Sequence, residues 1–165
     1  FAFMANYNYE KDIELGEEGE YRVRLDLESV GGEFVEDNKD NSHDLIMKMP
    51  IRGSSTYKLV SYEIKTDVFC RPDFDTGNIF IEFASRGKDS GITVTKAEWF
   101  VTYFKHFREM WYIKSDKLRE LISENEFKVH NDSGDLGSNT KGYLIPRYQF
   151  KKYFKVRVIP KSLTK

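Results

Sequence analysis

Glu63 and Lys65 stand two residues apart within Tyr57–Asp67, a run whose Tyr, Val and Ile content reads as a strand. Side chains alternate across a strand, so Val60, Tyr62 and Ile64 share one face while Leu59, Ser61, Glu63, Lys65 and Asp67 share the other. Two opposite charges therefore lie side by side on a strand expected in the interior. Burying them without further partners costs on the order of several kcal/mol per ion, so either that face is wet or a metal and a substrate complete it. The second alternative gains chemical sense once Glu20 and Asp44 are added. Hard divalent cations such as magnesium take a few carboxylate oxygens and fill the remaining positions with water. A lysine beside them orients or activates the attacking water and meets the charge that develops on a phosphate. Together these residues suit metal-assisted phosphodiester hydrolysis.

Four segments must bring them together. Residues 15–30 are expected to form a helix that stops at Gly31 and Gly32, the residues best able to take the left-handed turn at a helix end. Steps of four, three, four and three from Gly16 give Glu20, Val23, Leu27 and Val30, which sets Glu20 on the core-facing line. Tyr21, Val23, Leu25 and Leu27 also alternate as a strand would, but length and the glycine stop favour the helix. Glu20 has an equally good second reading, as an acid near a helix start that complements the macrodipole. Residues 33–42 read as a polar loop, residues 43–49 as a short strand with Asp44 at its beginning, and residues 50–55 as a turn leading into Tyr57–Asp67. Two neighbouring antiparallel strands result, with Asp44 on the first and Glu63 on the second.

Residues 1–13 show no clear period and read as a lead-in. Met4 is a candidate natural start, in which case residues 1–3 are not native. After a turn at Pro72, Asp75 and Gly77, residues 78–84 form a strand with Ile79, Ile81 and Phe83 on one face and Phe80 and Glu82 on the other. Glu82 has the parity of Glu63: it is a further acid of the site, a solvated residue, or a partner for a lysine at the core edge. Thr95 and Glu98 form a capping-box pattern, so a helix is expected there, carrying Trp99, Phe100, Tyr103, Phe104 and Phe107 as core aromatics first and a binding platform second. A strand over residues 110–114, a short helix capped by Ser115 with Leu118, Leu121 and Ile122 inward, a loop over 131–141, a helix over 146–153 and a strand over 155–159 complete the reading.

At Asp44 and at Glu63-Ile64-Lys65 the chain resembles the PD-(D/E)XK nuclease superfamily, which includes restriction endonucleases and archaeal Holliday-junction resolvases. Asp44 followed by Leu45 and Ile46 is similar to the metal-binding aspartate and its strand, and Glu63 and Lys65 fill the acid-x-Lys positions of the next strand. Gly16, Glu20, Val23, Leu27 and Gly31 resemble the opening helix of the resolvase branch. His43 departs from the pattern, standing where the superfamily label has proline. The resemblance covers residues 15–115. It implies an α/β fold of restriction-endonuclease-like type, a mixed central sheet flanked by helices, with residues 1–165 as one domain. By resemblance, Asp44 and Glu63 ligate Mg²⁺, with Mn²⁺ as a substitute, the Ile64 carbonyl adds a ligand, Lys65 serves the water, and Glu20 supports the metal directly or through water.

Charge is distributed unevenly although the net charge is only -1. Residues 1–40 carry twelve acids against four Lys or Arg, whereas residues 141–165 carry eight Lys or Arg and no acid. Such polarity can turn a basic face to a polyanion while an acidic pocket elsewhere holds cations. In the C-terminal segment Arg147, Lys151 and Lys152 are candidate DNA contacts among aromatics read chiefly as core. Lys88 and Ser90, in the loop 86–91, are further candidates for backbone contact, or else belong to a connecting turn. That loop is no Walker motif, since Glu82 stands in place of the first glycine and Asp89 follows the lysine. His43, His106 and His130 lack metal-ligand spacing, the lone Cys70 cannot build a multi-cysteine zinc site, and the nucleophile elbow and dinucleotide fingerprint are missing. No apolar run reaches the roughly 20 residues of a membrane helix. A cytoplasmic DNA nuclease without membrane partners is the expectation, and symmetric cutting of two strands would call for a homodimer. The alternative is a non-catalytic nucleic-acid-binding module that keeps the nuclease-like fold.

Overall fold

The computed structural model describes residues 2–37, 44–133 and 137–161, with side chains described from Gly16 onward apart from residues 132–133. His43, Gly134 and the Asp132 side chain, which belong to expected features, lie outside what is described.

The chain forms a mixed α/β structure with two sheets. Helix α1 (Ala2–Ser29) leads into strands β1 (Glu33–Asp37), β2 (Leu45–Pro50) and β3 (Tyr57–Asp67). Strands β4 (Asn78–Ser85) and β5 (Lys88–Asp89) follow, then a 3₁₀ turn at Gly91–Thr93, β6 (Trp99–Phe104), β7 (Glu109–Lys114) and α2 (Ser115–Glu124). The chain closes with β8 (Lys128–Ser133), β9 (Thr140–Pro146), the short α3 (Arg147–Phe150), a 3₁₀ turn at Lys151–Tyr153 and β10 (Lys155–Val158). Six strands pair in the order β1-β2-β3-β6-β7-β10 and four in the order β5-β4-β9-β8. Among the described residues only β3 and β6 pair in parallel, so the chain must cross over between them, and it builds part of the second sheet on the way.

Alternation along β3 sorts the larger sheet into two faces. Val60, Tyr62 and Ile64 join Val23 and Leu27 of α1 with Val101, Tyr103, Met110 and Tyr112 in one core cluster. The opposite face contributes Phe100, Phe104, Trp111 and Ile113 to a second cluster, closed by Ile79 and Ile81 of β4, Ile145 of β9, and Leu118 and Leu121 of α2. Helix α1 approaches β3 closely at Gly19, where a Cβ would come 2.0 Å from Thr66 Oγ1. It ends as the sequence suggests: Gly31 has φ +96, the Gly31 amide donates to the Glu28 carbonyl, and the Gly32 amide to that of Leu27. This paired pattern satisfies carbonyls a helix end would otherwise leave open.

Several expectations are corrected. Residues 1–13 are not a lead-in, because α1 begins at Ala2. Residues 33–37 form β1, whose pairing with β2 outweighs its acidic composition. The helix expected from Thr95 is absent: Trp99–Phe104 is the strand β6, where β-branched and aromatic side chains pack on both faces of a buried sheet. Ser115 begins α2 without any side-chain cap, the preceding position being Lys114. Strand β8 and the start of β9 occupy much of the expected 131–141 loop.

Candidate active site

Asp44 sits just before β2, at the point where β2 leaves β3. The last register pair is Leu45 with Tyr62, and one more step sets Asp44 against Glu63 on the face away from α1. Two backbone contacts fix it there. The Asp44 amide donates to the Tyr62 carbonyl at 2.9 Å, and Asp44 Oδ2 accepts the Ile64 amide at 2.8 Å. The N–H and C=O of one strand residue point toward the same neighbour, so the Ile64 carbonyl is turned to the side where Asp44 lies.

Glu63 is 9 % exposed and its two oxygens have different partners. Thr95 Oγ1 donates to Oε1 at 2.8 Å, and Lys65 Nζ lies 3.6 Å from Oε2. Burial pushes the Glu63 carboxyl up to about 7; Lys65 opposes the shift, Asp44 adds to it, and the Thr95 hydroxyl pulls it back. Lys65 titrates above the usual lysine range although desolvation works against its charge, because the carboxylates of Glu82, Glu63 and Asp44 hold the proton. It is an ammonium ion over the whole physiological range. Glu82 bears on Lys65 through its charge, from the second sheet rather than from a neighbouring strand.

Glu20 is half-buried at the margin of the inward stripe of α1, whose line runs through Gly19, Val23, Asp26 and Leu27 rather than through Gly16 and Val30. Burial raises its carboxyl to about 7, followed by the charges of Asp44, Asp37, Glu17 and, last, Glu63. Of the two acids at the β2–β3 divergence, Asp44 acts on Glu20 the more strongly. Among the described residues no three His, Cys, Asp or Glu side chains gather closely enough to enclose a metal ion. The two carboxylates at the β2–β3 divergence and an adjacent main-chain carbonyl are all oxygen donors, the type that hard cations accept when water fills the other positions.

Thr95 and Arg119 escaped the sequence reading. The Thr95 hydroxyl also accepts the Ala97 amide at 3.2 Å, and Arg119 of α2 donates to the carbonyls of Thr95 at 2.6 Å and Ile92 at 3.3 Å. The segment before β6 is held from both sides. Only the tertiary contact with Glu63 reveals this role, since Thr95 with Glu98 has the spacing of a helix cap.

The expected nucleic-acid contacts separate. Lys88, Lys151 and Lys152 are exposed, the latter two beside β10, three strands away from β3. Ser90 Oγ is buried and has no hydrogen-bond partner among the described residues, whereas its amide donates to the Phe83 carbonyl. Arg147 differs from the expectation. Its guanidinium pairs with Asp75, donates to the Asn78 carbonyl at 2.9 Å and Cys70 Sγ at 3.3 Å, and lies over the ring of Phe104. These contacts make it a clamp between the 70–78 segment and the second core. Asp67 caps the same segment, its Oδ1 accepting the Phe69 and Cys70 amides.

No protein-family model matches the chain, and neither a curated protein nor a solved structure does so. Among the described residues no helix is long and apolar enough to cross a membrane.

Proposed function

We propose that the protein is a metal-dependent nuclease that hydrolyses DNA phosphodiester bonds, with residues 1–165 as one domain of restriction-endonuclease-like fold. One observation carries the reading: Asp44 is tied by its carboxylate to the Ile64 amide, directly across from Glu63, with the Lys65 ammonium 3.6 Å from Glu63. A solvated ion pair alone would not need a second, partly buried acid opposite it. Asp44, Glu63 and the Ile64 carbonyl would hold Mg²⁺ or Mn²⁺, with Glu20 acting through water. Bound there, the ion polarises a phosphoryl oxygen and lowers the pKa of its water.

The chain's own residues supply the rest. Lys65, kept protonated by Glu82, Glu63 and Asp44, orients a water by donating to it and offsets charge on the phosphate. The Thr95 hydroxyl fixes one oxygen of Glu63 and the Ile64 amide one oxygen of Asp44, so both carboxylates are held in place where the two acids and Lys65 meet. Lys88, Lys151 and Lys152 are available to phosphates, an attraction that weakens as salt rises.

The test incubates the protein with labelled linear, nicked, branched and single-stranded DNA in Mg²⁺, Mn²⁺ or EDTA. Cleavage should require metal and be lost in Asp44→Asn, which keeps an oxygen for the Ile64 amide, and in Lys65→Ala. Equal cleavage by all three proteins would reveal a contaminant. Salt-sensitive binding without product under any metal would leave a non-catalytic DNA-binding module instead.

A further inference from the structure

The larger sheet carries a concave site on the face opposite Glu63 and Lys65. Helix α1 covers that face only as far as Ser29, and the turn at Gly31 and Gly32 takes the chain away toward β1. Beyond the helix end lies a cavity of about 250 Å³, with Val60, Tyr62 and Trp99 in its floor and Leu27, Val30 and Met49 along its side. Strand register explains the lining. Tyr62 pairs with Trp99, Trp99 with Lys114, and Tyr112 with Lys155, so all of these side chains emerge on one face.

Four cations and two acids line the cavity: Lys58, Lys114, Lys155 and Arg157 against Asp26 and Glu98. Two of the cations are matched internally. Arg157 Nε lies 2.8 Å from both Asp26 oxygens, and Lys58 Nζ lies 3.5 Å from Glu98. Lys114 and Lys155 have no carboxylate partner among the described residues. Lys114 rests 5.8 Å from the centre of the Trp99 ring, and Lys155 is exposed. The result is an indole beside two unmatched ammonium groups, over an apolar floor. The volume falls just below the roughly 300–1,000 Å³ of sites for drug-sized ligands, which suits one planar ring system with its charged group at the open mouth.

We propose that this cavity binds an aromatic ring bearing a phosphate, as in a nucleoside monophosphate. The ring stacks against Trp99, and the two phosphate charges match Lys114 and Lys155. A free mononucleotide and the terminal nucleotide of a strand share this chemistry. The site stands apart from the nuclease reading, since its residues face the other way on the sheet.

Trp99 reports directly, because the other tryptophan, Trp111, is buried in the opposite core cluster. Tryptophan emission would be followed while adenosine 5′-monophosphate, adenosine, inorganic phosphate and a short 5′-phosphorylated oligonucleotide are titrated separately. The monophosphate should saturate the signal at least about tenfold more tightly than adenosine or phosphate. Lys114→Ala with Lys155→Ala should weaken it tenfold or more while leaving adenosine unchanged, and Lys155→Glu should weaken it further. Asp44→Asn should not alter it. An oligonucleotide that binds more tightly and responds to the same lysine changes identifies the strand end as the source of the ligand. The proposal is overturned by no saturation at about 10 mM monophosphate, by equal affinity for adenosine, by indifference to both lysines, or by loss in Asp44→Asn.

Discussion

The Thr95 hydroxyl donates a 2.8 Å hydrogen bond to Oε1 of Glu63, joining the segment before β6 to the acid at the centre of the proposed site. Both residues are buried, so removing the hydroxyl leaves a carboxylate oxygen without a donor and the Ala97 amide without its acceptor. Thr95→Val should cost about 1–3 kcal/mol in urea unfolding. If the proposed reaction holds, it should also slow metal-dependent cleavage by roughly 10–100-fold, as loss of a group that orients a metal ligand does. Thr95→Ser keeps the hydroxyl and should recover most of both. Equal behaviour of the Val and Ser variants would remove Thr95 from any positioning role.

The metal-free protein should be more stable in mild acid than at pH 8. Glu63 and Glu20 both titrate near 7 in the folded chain, against an ordinary value of 4.5. Between those values the folded state holds more protons than the unfolded one, so their contribution is fully present below about 4.5 and is lost as pH rises through 7. Its size is on the order of 1–3 kcal/mol per group after solvent screening. Thermal midpoints at pH 5.5 and pH 8 in EDTA measure the slope. Glu63→Gln should remove its own share of the slope, leaving that of Glu20, and raise the midpoint at pH 8; if the proposed reaction holds, it should also abolish cleavage. A slope as steep in the variant as in the unaltered protein would mean that Glu63 takes no part in it.

Much of the frame was legible because it rests on local rules. The strand Tyr57–Asp67, the turn before it and the glycine stop of α1 follow from alternation and turn chemistry, and the placement of Asp44 across from Glu63 follows from them. The capping pattern at Thr95 was misleading because a threonine two residues before an amide makes the same local contact in a turn as at a helix start. Trp99–Phe104 shows no alternation since both faces of β6 are buried, and an unbroken apolar run does not distinguish helix from strand. The charge on Arg147 was legible while its burial was not, because Asp75, Asn78 and Cys70 meet it only through the fold.

Gly91→Ala should be among the most damaging small changes. Gly91 has φ +53, and a Cβ there would come 2.1 Å from the Glu82 carbonyl oxygen. Neither the left-handed backbone nor the contact with main chain can relax cheaply. A loss of about 2–4 kcal/mol is expected in chemical denaturation. Since Glu82 helps keep Lys65 protonated, any cleavage remaining in the folded variant should also fall. A neutral result would require Glu82 and the 3₁₀ turn to move apart without consequence.

Arg157, Asp26 and Tyr112 bind β10 and β7 to α1. Arg157 Nε contacts both Asp26 oxygens at 2.8 Å and the Tyr112 hydroxyl donates to Oδ2 at 2.7 Å, while the Asp26 side chain is 9 % exposed. Arg157→Met would leave that carboxylate with one donor in a largely dry setting and should destabilise by about 2–4 kcal/mol. Tyr112→Phe removes one neutral donor to a charged acceptor and should cost about 1–2 kcal/mol. The partners share one carboxylate, so the double variant should not show the simple sum. Adding Asp26→Asn to Arg157→Met removes the stranded charge and should recover part of the loss, as read by urea midpoints. If that triple comparison shows strict additivity, the buried aspartate is solvated in a way its three contacts do not allow.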